Sequence, residues 1–259
     1  VENGLSHNTT WCAIQDSYGF LWIGTSNGLN CYYGSGNKIY RNVLNDKYSL
    51  GNNFVSSLME EGEDLWIGTS SGLYIYDRSD DHFLYFDKTT KYGVFISCEV
   101  KKIVKTKNGL IWIATLGQGI FIYDPAKDVL TQNSIRTFFA WDICQGTDSL
   151  VYVSSMQEGL LCFDEQGTFL QSYPVSFELN IGNQRINCLH SIDHEIWCGV
   201  GTNSLGCYQE GSQELKIYNT SAESFSSILC LMDYSEKEML VGTDNGVYLF
   251  DRERKTFRR

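Results

Sequence analysis

The chain has 259 residues, 42% apolar and 14% aromatic, which is too much core-forming side chain for disorder and a normal length for one large all-β domain. A net charge of −11 argues against a nucleic-acid partner, because that binding rests on Lys and Arg neutralising phosphates. No apolar run approaches the ~20 residues that span a bilayer, and no signal peptide is present, so the sequence reads as a mature, trimmed or cytosolic form.

In chain order, the first strong element is Leu21 to Leu29, LWIGTSNGL, and residues 65–73 repeat it as LWIGTSSGL. Aligned on its aromatic residue, the series runs Trp22, Trp66, Trp112, Tyr152, Trp197 and Leu240, at intervals of 44, 46, 40, 45 and 43. The words around these anchors are LWIGT, LWIGT, IWIAT, VYVSS, IWCGV and LVGT. A second signature follows each: IYD at 75–77 and 122–124, CFD at 162–164 and LFD at 249–251, drifting to CYY at 31–33 and CYQ at 207–209.

Each unit breaks into short strand-like pieces. In the second these are Val55 to Glu60, Leu65 to Thr69, Leu73 to Tyr76 and Phe83 to Phe86, separated by Gly, Ser, Asp and Glu turn chemistry. Four strands per 40 to 46 residues is the period of a β-propeller blade. The predicted fold is therefore all-β, a β-propeller of about six four-stranded antiparallel blades or an incomplete seven-bladed ring. It forms one domain over 1–259, with repeats at 7–53, 54–95, 96–137, 138–184, 185–226 and 227–259. Both faces of a blade pack on neighbours, so the anchor Trp is expected to fill the wedge between blades and the following Gly to leave room for a neighbour's side chain. Gly28, Gly72, Gly119, Gly159 and Gly246 fit turns needing positive φ.

Of the nine cysteines, Cys31, Cys162 and Cys207 share a third-strand slot, and Cys188 and Cys230 match Ala13 and Ser57 on the first strand. They read as small buried hydrophobes without disulfides. The cluster His190 to Glu195 falls at the first turn of the fifth unit and reads as a solvated hairpin, because two histidines four apart do not converge there as on a helix. Asp80-Asp81 and Glu60-Glu61 read as solvent-facing turn residues. Arg252, Arg254, Lys255, Arg258 and Arg259 read as a solvated edge strand and terminus. No catalytic set, metal site or cofactor is expected.

Loops joining second to third strands, and those joining blades, emerge on one face, where function on β scaffolds concentrates. The short loops offer Asn27, Gln118, Glu158, Asn203 and Asn245. Trp11 and Trp141 each stand 11 residues before their anchor, where Val55 and Leu229 stand in other units. Their rings either stack on sugars or plug the narrow core.

The stretches GLSHNT (4–9), DSYGFLWIGTSNGLN (16–30) and LWIGTSSGLYIYD (65–77) resemble two-component regulator propeller repeats, the periplasmic sensor regions of hybrid histidine kinases that regulate polysaccharide use. The resemblance implies a periplasmic sensor propeller that is not itself an enzyme. Its ligand would be an oligosaccharide, and its partners neighbouring sensor domains or a second copy of the chain. No nucleic acid and no membrane contact are expected of this fragment, and the kinase would lie elsewhere. A propeller enzyme acting on a glycan and a purely structural scaffold stay open as alternatives. The ten residues before Trp11 are a poor strand, so residues 1–6 are expected to add none to the sixth blade.

Overall fold

In the computed structural model of the protein, every residue is described except 1–3, 35, 134, 136, 138, 176–184, 202–203, 220–224, 226 and 259, and the side chain of 219. The chain divides into two compact units, residues 1–105 with 109–138 and residues 106–108 with 139–259.

The first unit holds three sheets. The first is β1 (Thr10–Gln15), β2 (Leu21–Thr25), β3 (Gly28–Tyr33) and β4 (Gly36–Tyr40). The second is β5 (Val55–Glu61), β6 (Asp64–Thr69), β7 (Gly72–Asp77) and β8 (His82–Tyr85). The third is β9 (Glu99–Lys105), β10 (Ile111–Leu116), β11 (Gly119–Asp124) and β12 (Val129–Gln132). The second unit repeats the plan. Its sheets are β13 (Ala140–Gln145), β14 (Val151–Ser155), β15 (Gly159–Phe163) and β16 (Phe169–Tyr173); then β17 (Ile186–Ile192), β18 (Glu195–Val200), β19 (Ser204–Gln209) and β20 (Leu215–Asn219); and last β21 (Ile228–Asp233), β22 (Glu238–Thr243), β23 (Gly246–Asp251) and β24 (Thr256–Arg258). Every sheet is antiparallel, with its strands in sequence order, and there is no helix among the described residues. Six successive four-stranded meanders are the blades of a β-propeller. All six anchors lie on the second strand of their blade.

Four of the anchors pack between blades as their spacing predicts. Trp22 sits with Leu29 and Cys31 of its own sheet against Val55, Leu65, Tyr76 and Phe83 of the next. Trp66 meets Ile103, Ile111 and Tyr123. In the second unit Tyr152 meets Leu189 and Ile196, and Trp197 meets Leu231, Met239 and Phe250. The glycine two residues after the anchor makes this contact close. A Cβ on Gly24 would stand 2.7 Å from Val55 Cγ1, one on Gly68 2.8 Å from Val100 Cγ1, and one on Gly199 2.9 Å from Ile228 Cγ2. Each meets the first strand of the following blade.

The opening words are thus fold devices. Thr25, Thr69, Thr115 and Thr243 each donate their hydroxyl to the carbonyl of the glycine that starts the third strand. That glycine has positive φ at 28, 72, 119, 159 and 246, as expected. At Gly72 a Cβ would also fall 2.7 Å from the Ile96 carbonyl oxygen. The Asp of IYD, CFD and LFD accepts backbone N–H groups two to four residues on, capping the turn to the fourth strand at Asp77, Asp124, Asp164 and Asp251.

Several expectations need correction. A β-bulge interrupts each innermost strand near its start, and its extra residue is Trp11, Ser56, Lys101, Trp141, Asn187 or Leu229. Ser56, not Val55, therefore stands in the slot of Trp11, because the hairpin from Met59 to its partner Trp66 is one residue shorter than that from Ile14 to its partner Trp22. By the same register Cys188 and Cys230 match Cys12 rather than Ala13, each facing the second-strand glycine. None of the nine cysteines is in a disulfide, and Cys230 is exposed rather than buried. It shares a sheet face with Met232 and Val247, which are 62% and 60% exposed. Burial pushes the Cys12 and Cys207 thiols up to about 12.

Arg252 is not solvated: only 9% of its side chain is exposed, and it pairs with Asp193 and Glu195. Glu60 and Glu61 end strand β5 instead of lying in a turn. Glu60 accepts from Ser17 and Arg78, and Glu61 from Lys105. At the N-terminus, Ser6 is buried on the first blade. Its N–H donates to Asn30 Oδ1 at 2.8 Å, and Asn37 donates to the Gly4 carbonyl. Residues 4–6 form no strand. The sixth blade has its own outer strand in β24.

Candidate functional site

Within each blade, the turn between the second and third strands, the bulge of the first strand and the loop leaving the fourth strand lie at the same end. Bulges re-aim side chains, and here they set the two tryptophans apart from the core-facing residues around them. Trp11, in the first unit, remains 47% exposed. Its indole N–H donates to Ser26 Oγ at 2.9 Å, its ring lies 5.2 Å from that of Phe54, and the Lys101 ammonium stands 5.5 Å from its centroid. Trp141, in the second unit, is half-buried, with the Arg185 guanidinium 4.4 Å over its ring. Arg185 is itself held by Asn187 at 2.6 Å.

The polar loop residues serve mostly as braces. Asn27 is exposed beside Trp11, and its carbonyl accepts from Arg41. Gln118 ties its turn to the preceding interblade loop, accepting from the Ser97 N–H and donating to the Phe95 carbonyl. Glu158 pairs with Ser155 across its own turn. Asn245 is exposed, with its N–H on Thr243, and Asn203 lies outside the described residues. Trp11 and Asn27 therefore share one blade end, as do Trp141 and Glu158. Gln118 and Asn245 stand on other blades. The histidines of 190–195 point to separate partners, His190 to Asp233 and His194 to Thr147 and Glu210.

Sequence reasoning missed a cleft at the opposite end of the first two blades. It spans about 690 Å³, lined by the turns after β1, β5 and β7 and by residues of β3 and β4. Its polar framework is fixed by two networks, one around the buried carboxylate of Asp16 and one around the half-exposed carboxylate of Asp81. Asp16 accepts from the Trp22 indole at 2.7 Å, from Arg78 at 2.7 Å and from the backbone N–H groups of Tyr18 and Phe20. Burial works to raise its carboxyl, but these bonds outweigh it and hold Asp16 below the usual carboxylate range. Asp81 accepts from Tyr40, Tyr76 and Lys38. Burial again opposes, and the three donors again hold it low. Burial and Asp81 raise both phenols, Tyr76 to about 12.

Around the mouth stand Tyr18, Phe20 and Tyr33, exposed by 54%, 37% and 44%. Arg78 lies between the Tyr18 and Trp22 rings, 4.9 and 5.9 Å from their centroids, and Lys38 lies 4.6 Å over Tyr40. The signal that could have found this cleft is Tyr18 and Phe20 in a turn otherwise made of Asp, Ser and Gly, with Tyr33 at the end of β3 before another Gly- and Ser-containing turn.

Comparison with known proteins agrees with the blade reading. No curated protein matches the chain. The sequence model described as "Two component regulator propeller" matches residues 4–27. In fold, the chain is similar to virginiamycin B lyase from Staphylococcus aureus, with a TM-score of 0.71 and 14% identity over 92% of this chain and 78% of that one. It is more similar to two extracellular domains from B. thetaiotaomicron, each described as belonging to a hybrid two component system. For BT3049 the TM-score is 0.80 with 20% identity, over 99% of this chain and 35% of that one; for BT4673 it is 0.80 with 21% identity, over 97% and 36%. The chain spans about a third of the length of those two domains, and shares with them a propeller of four-stranded antiparallel blades.

Proposed function

We propose that this chain is a sensor propeller of a two-component regulator, working outside the cytoplasm as one domain. It acts by binding, and passes its state to neighbouring sensor domains or to a second copy of the chain. The ligand is a glycan-derived oligosaccharide met at the loop ends, with Trp11 and Trp141 as stacking platforms and Asn27, Gln118, Glu158, Asn203 and Asn245 as polar contacts around them. The carrying observation is Trp11, a large ring kept half exposed by a bulge at the functional end of its blade. Sugars present flat C–H faces that suit such rings. The regulator-propeller match over residues 4–27 and the fold of the two extracellular domains support the sensor role. Likeness to the lyase is one of fold, and fold does not carry a reaction with it.

The test is calorimetric titration of the chain with a panel of plant and host oligosaccharides. Binding that falls at least tenfold, about 1.4 kcal/mol, in Trp11→Ala supports the reading. Affinity unchanged by both Trp11→Ala and Trp141→Ala removes the loop-end site.

A further inference from the structure

We propose that the cleft between the first two blades, at the end opposite the interblade loops, binds an uncharged saccharide ring, with its apolar face on Phe20 and Tyr33 and its hydroxyls donating to Glu63 and Asp64.

Size comes first. About 690 Å³ lies within the roughly 300–1,000 Å³ of small-molecule sites, which combine apolar walls with a few placed polar groups. Its walls are aromatic and its floor is rigid. Trp22, Tyr40 and Tyr76 are locked by the Asp16 and Asp81 networks, so a ligand would meet groups already oriented.

Charge then selects the ligand. The lining carries Glu63, Asp64, Asp77 and Asp81 against Lys38 and Arg78. An anionic ligand such as a uronate would meet that acid excess. A cationic ligand would find the places a cation prefers already filled. Arg78 occupies the ring faces of Tyr18 and Trp22, and Lys38 that of Tyr40; both are also ion-paired, with Asp16, Glu60 and Asp81. A neutral ligand remains. Phe20 and Tyr33 meet edge to face at 6.1 Å, and among the described residues no basic side chain lies over either ring. They offer flat apolar surface at the mouth, while Glu63, which also accepts from the Tyr18 hydroxyl, and Asp64 at the start of β6 are exposed acceptors. Flat apolar C–H surface joined to hydroxyl donors is the chemistry of a pyranose.

This site is separate from the loop-end platforms, and one experiment distinguishes them. The whole chain is titrated calorimetrically with maltotriose, cellotriose and galactotriose, and with trigalacturonate and choline as charged probes. The expected result is heat with at least one neutral trisaccharide, and affinity at least tenfold lower in the Phe20→Ala, Tyr33→Ala double variant. The binding component lost in that double variant should persist in Trp11→Ala, which removes only a component belonging to the loop-end platforms. Tyr33→Leu, which keeps bulk without a flat face, should also weaken binding, and it stands in if the double variant misfolds. The proposal is overturned if no neutral trisaccharide binds, or if trigalacturonate or choline binds as tightly. It is overturned equally if the cleft variants bind like the parent, and loss in Trp11→Ala alone would then place the sugar at the loop end.

Discussion

Single residues in this chain carry polar tasks that a composition count hides. Asp16 is the clearest. It satisfies a buried indole and one arm of an arginine whose side chain is only 14% exposed. Removing it in Asp16→Ala leaves Trp22 Nε1 and part of Arg78 unpaired. The cost should be about 3 kcal/mol, the low end for a broken buried pair, because Arg78 keeps Glu60. Thermal unfolding at neutral pH measures it. The pH dependence follows from the sign of the shift. A carboxyl held lower in the folded state than in the unfolded chain stabilises fully above the unfolded value near ~4, and that stability is lost as pH falls through the folded value. The parent and Asp16→Asn should therefore differ most near neutrality and converge under strong acid.

At the scale of the element, the blade is a sheet with two apolar faces, and the anchor decides how well one face meets the next. Trp66 is 6% exposed and packs into the third blade. Trp66→Ala should cost about 3–5 kcal/mol, as for other buried large-to-small changes. The sixth blade makes the comparison informative. Its anchor is Leu240, half-buried on the same face as the exposed Cys230, Met232 and Val247. Leu240→Ala should cost less than about 1 kcal/mol, within reach of ordinary surface changes. Chemical unfolding of the two variants side by side checks the contrast; equal losses would mean that this face is covered in solution.

For the whole molecule, the same packing rule is written in both units, and the N-terminal segment is an addition to it. Ser6 lies buried against Thr25 and Asn30, so residues 4–6 brace the first blade. Deleting residues 1–6 should cost about 1–3 kcal/mol, the penalty for leaving buried Asn30 short of a partner. Ser6→Ala should reproduce most of that loss in thermal denaturation. A deletion far more damaging than Ser6→Ala would show that the segment also supports another part of the protein.

The sequence by itself determined the repeat. The strand words, the turn glycines at positive φ and the anchors between blades all follow from local alternation and from a packing problem solved six times, so they survive in a one-dimensional pattern. Register was decided by the tertiary structure. One residue fewer in the hairpin between Met59 and Trp66 moved the slot of Trp11 from Val55 to Ser56, and hairpin length is not read from a spacing of anchors. Burial of polar groups was equally hidden. Arg252 and Glu60 look like surface charge in sequence, and only the approach of a neighbouring blade encloses them with partners. The cleft of Phe20 and Tyr33 is hidden for the same reason. Its walls come from turns and strand ends on two blades, and aromatic residues far apart in sequence become a site only when two sheets stack and bring them together.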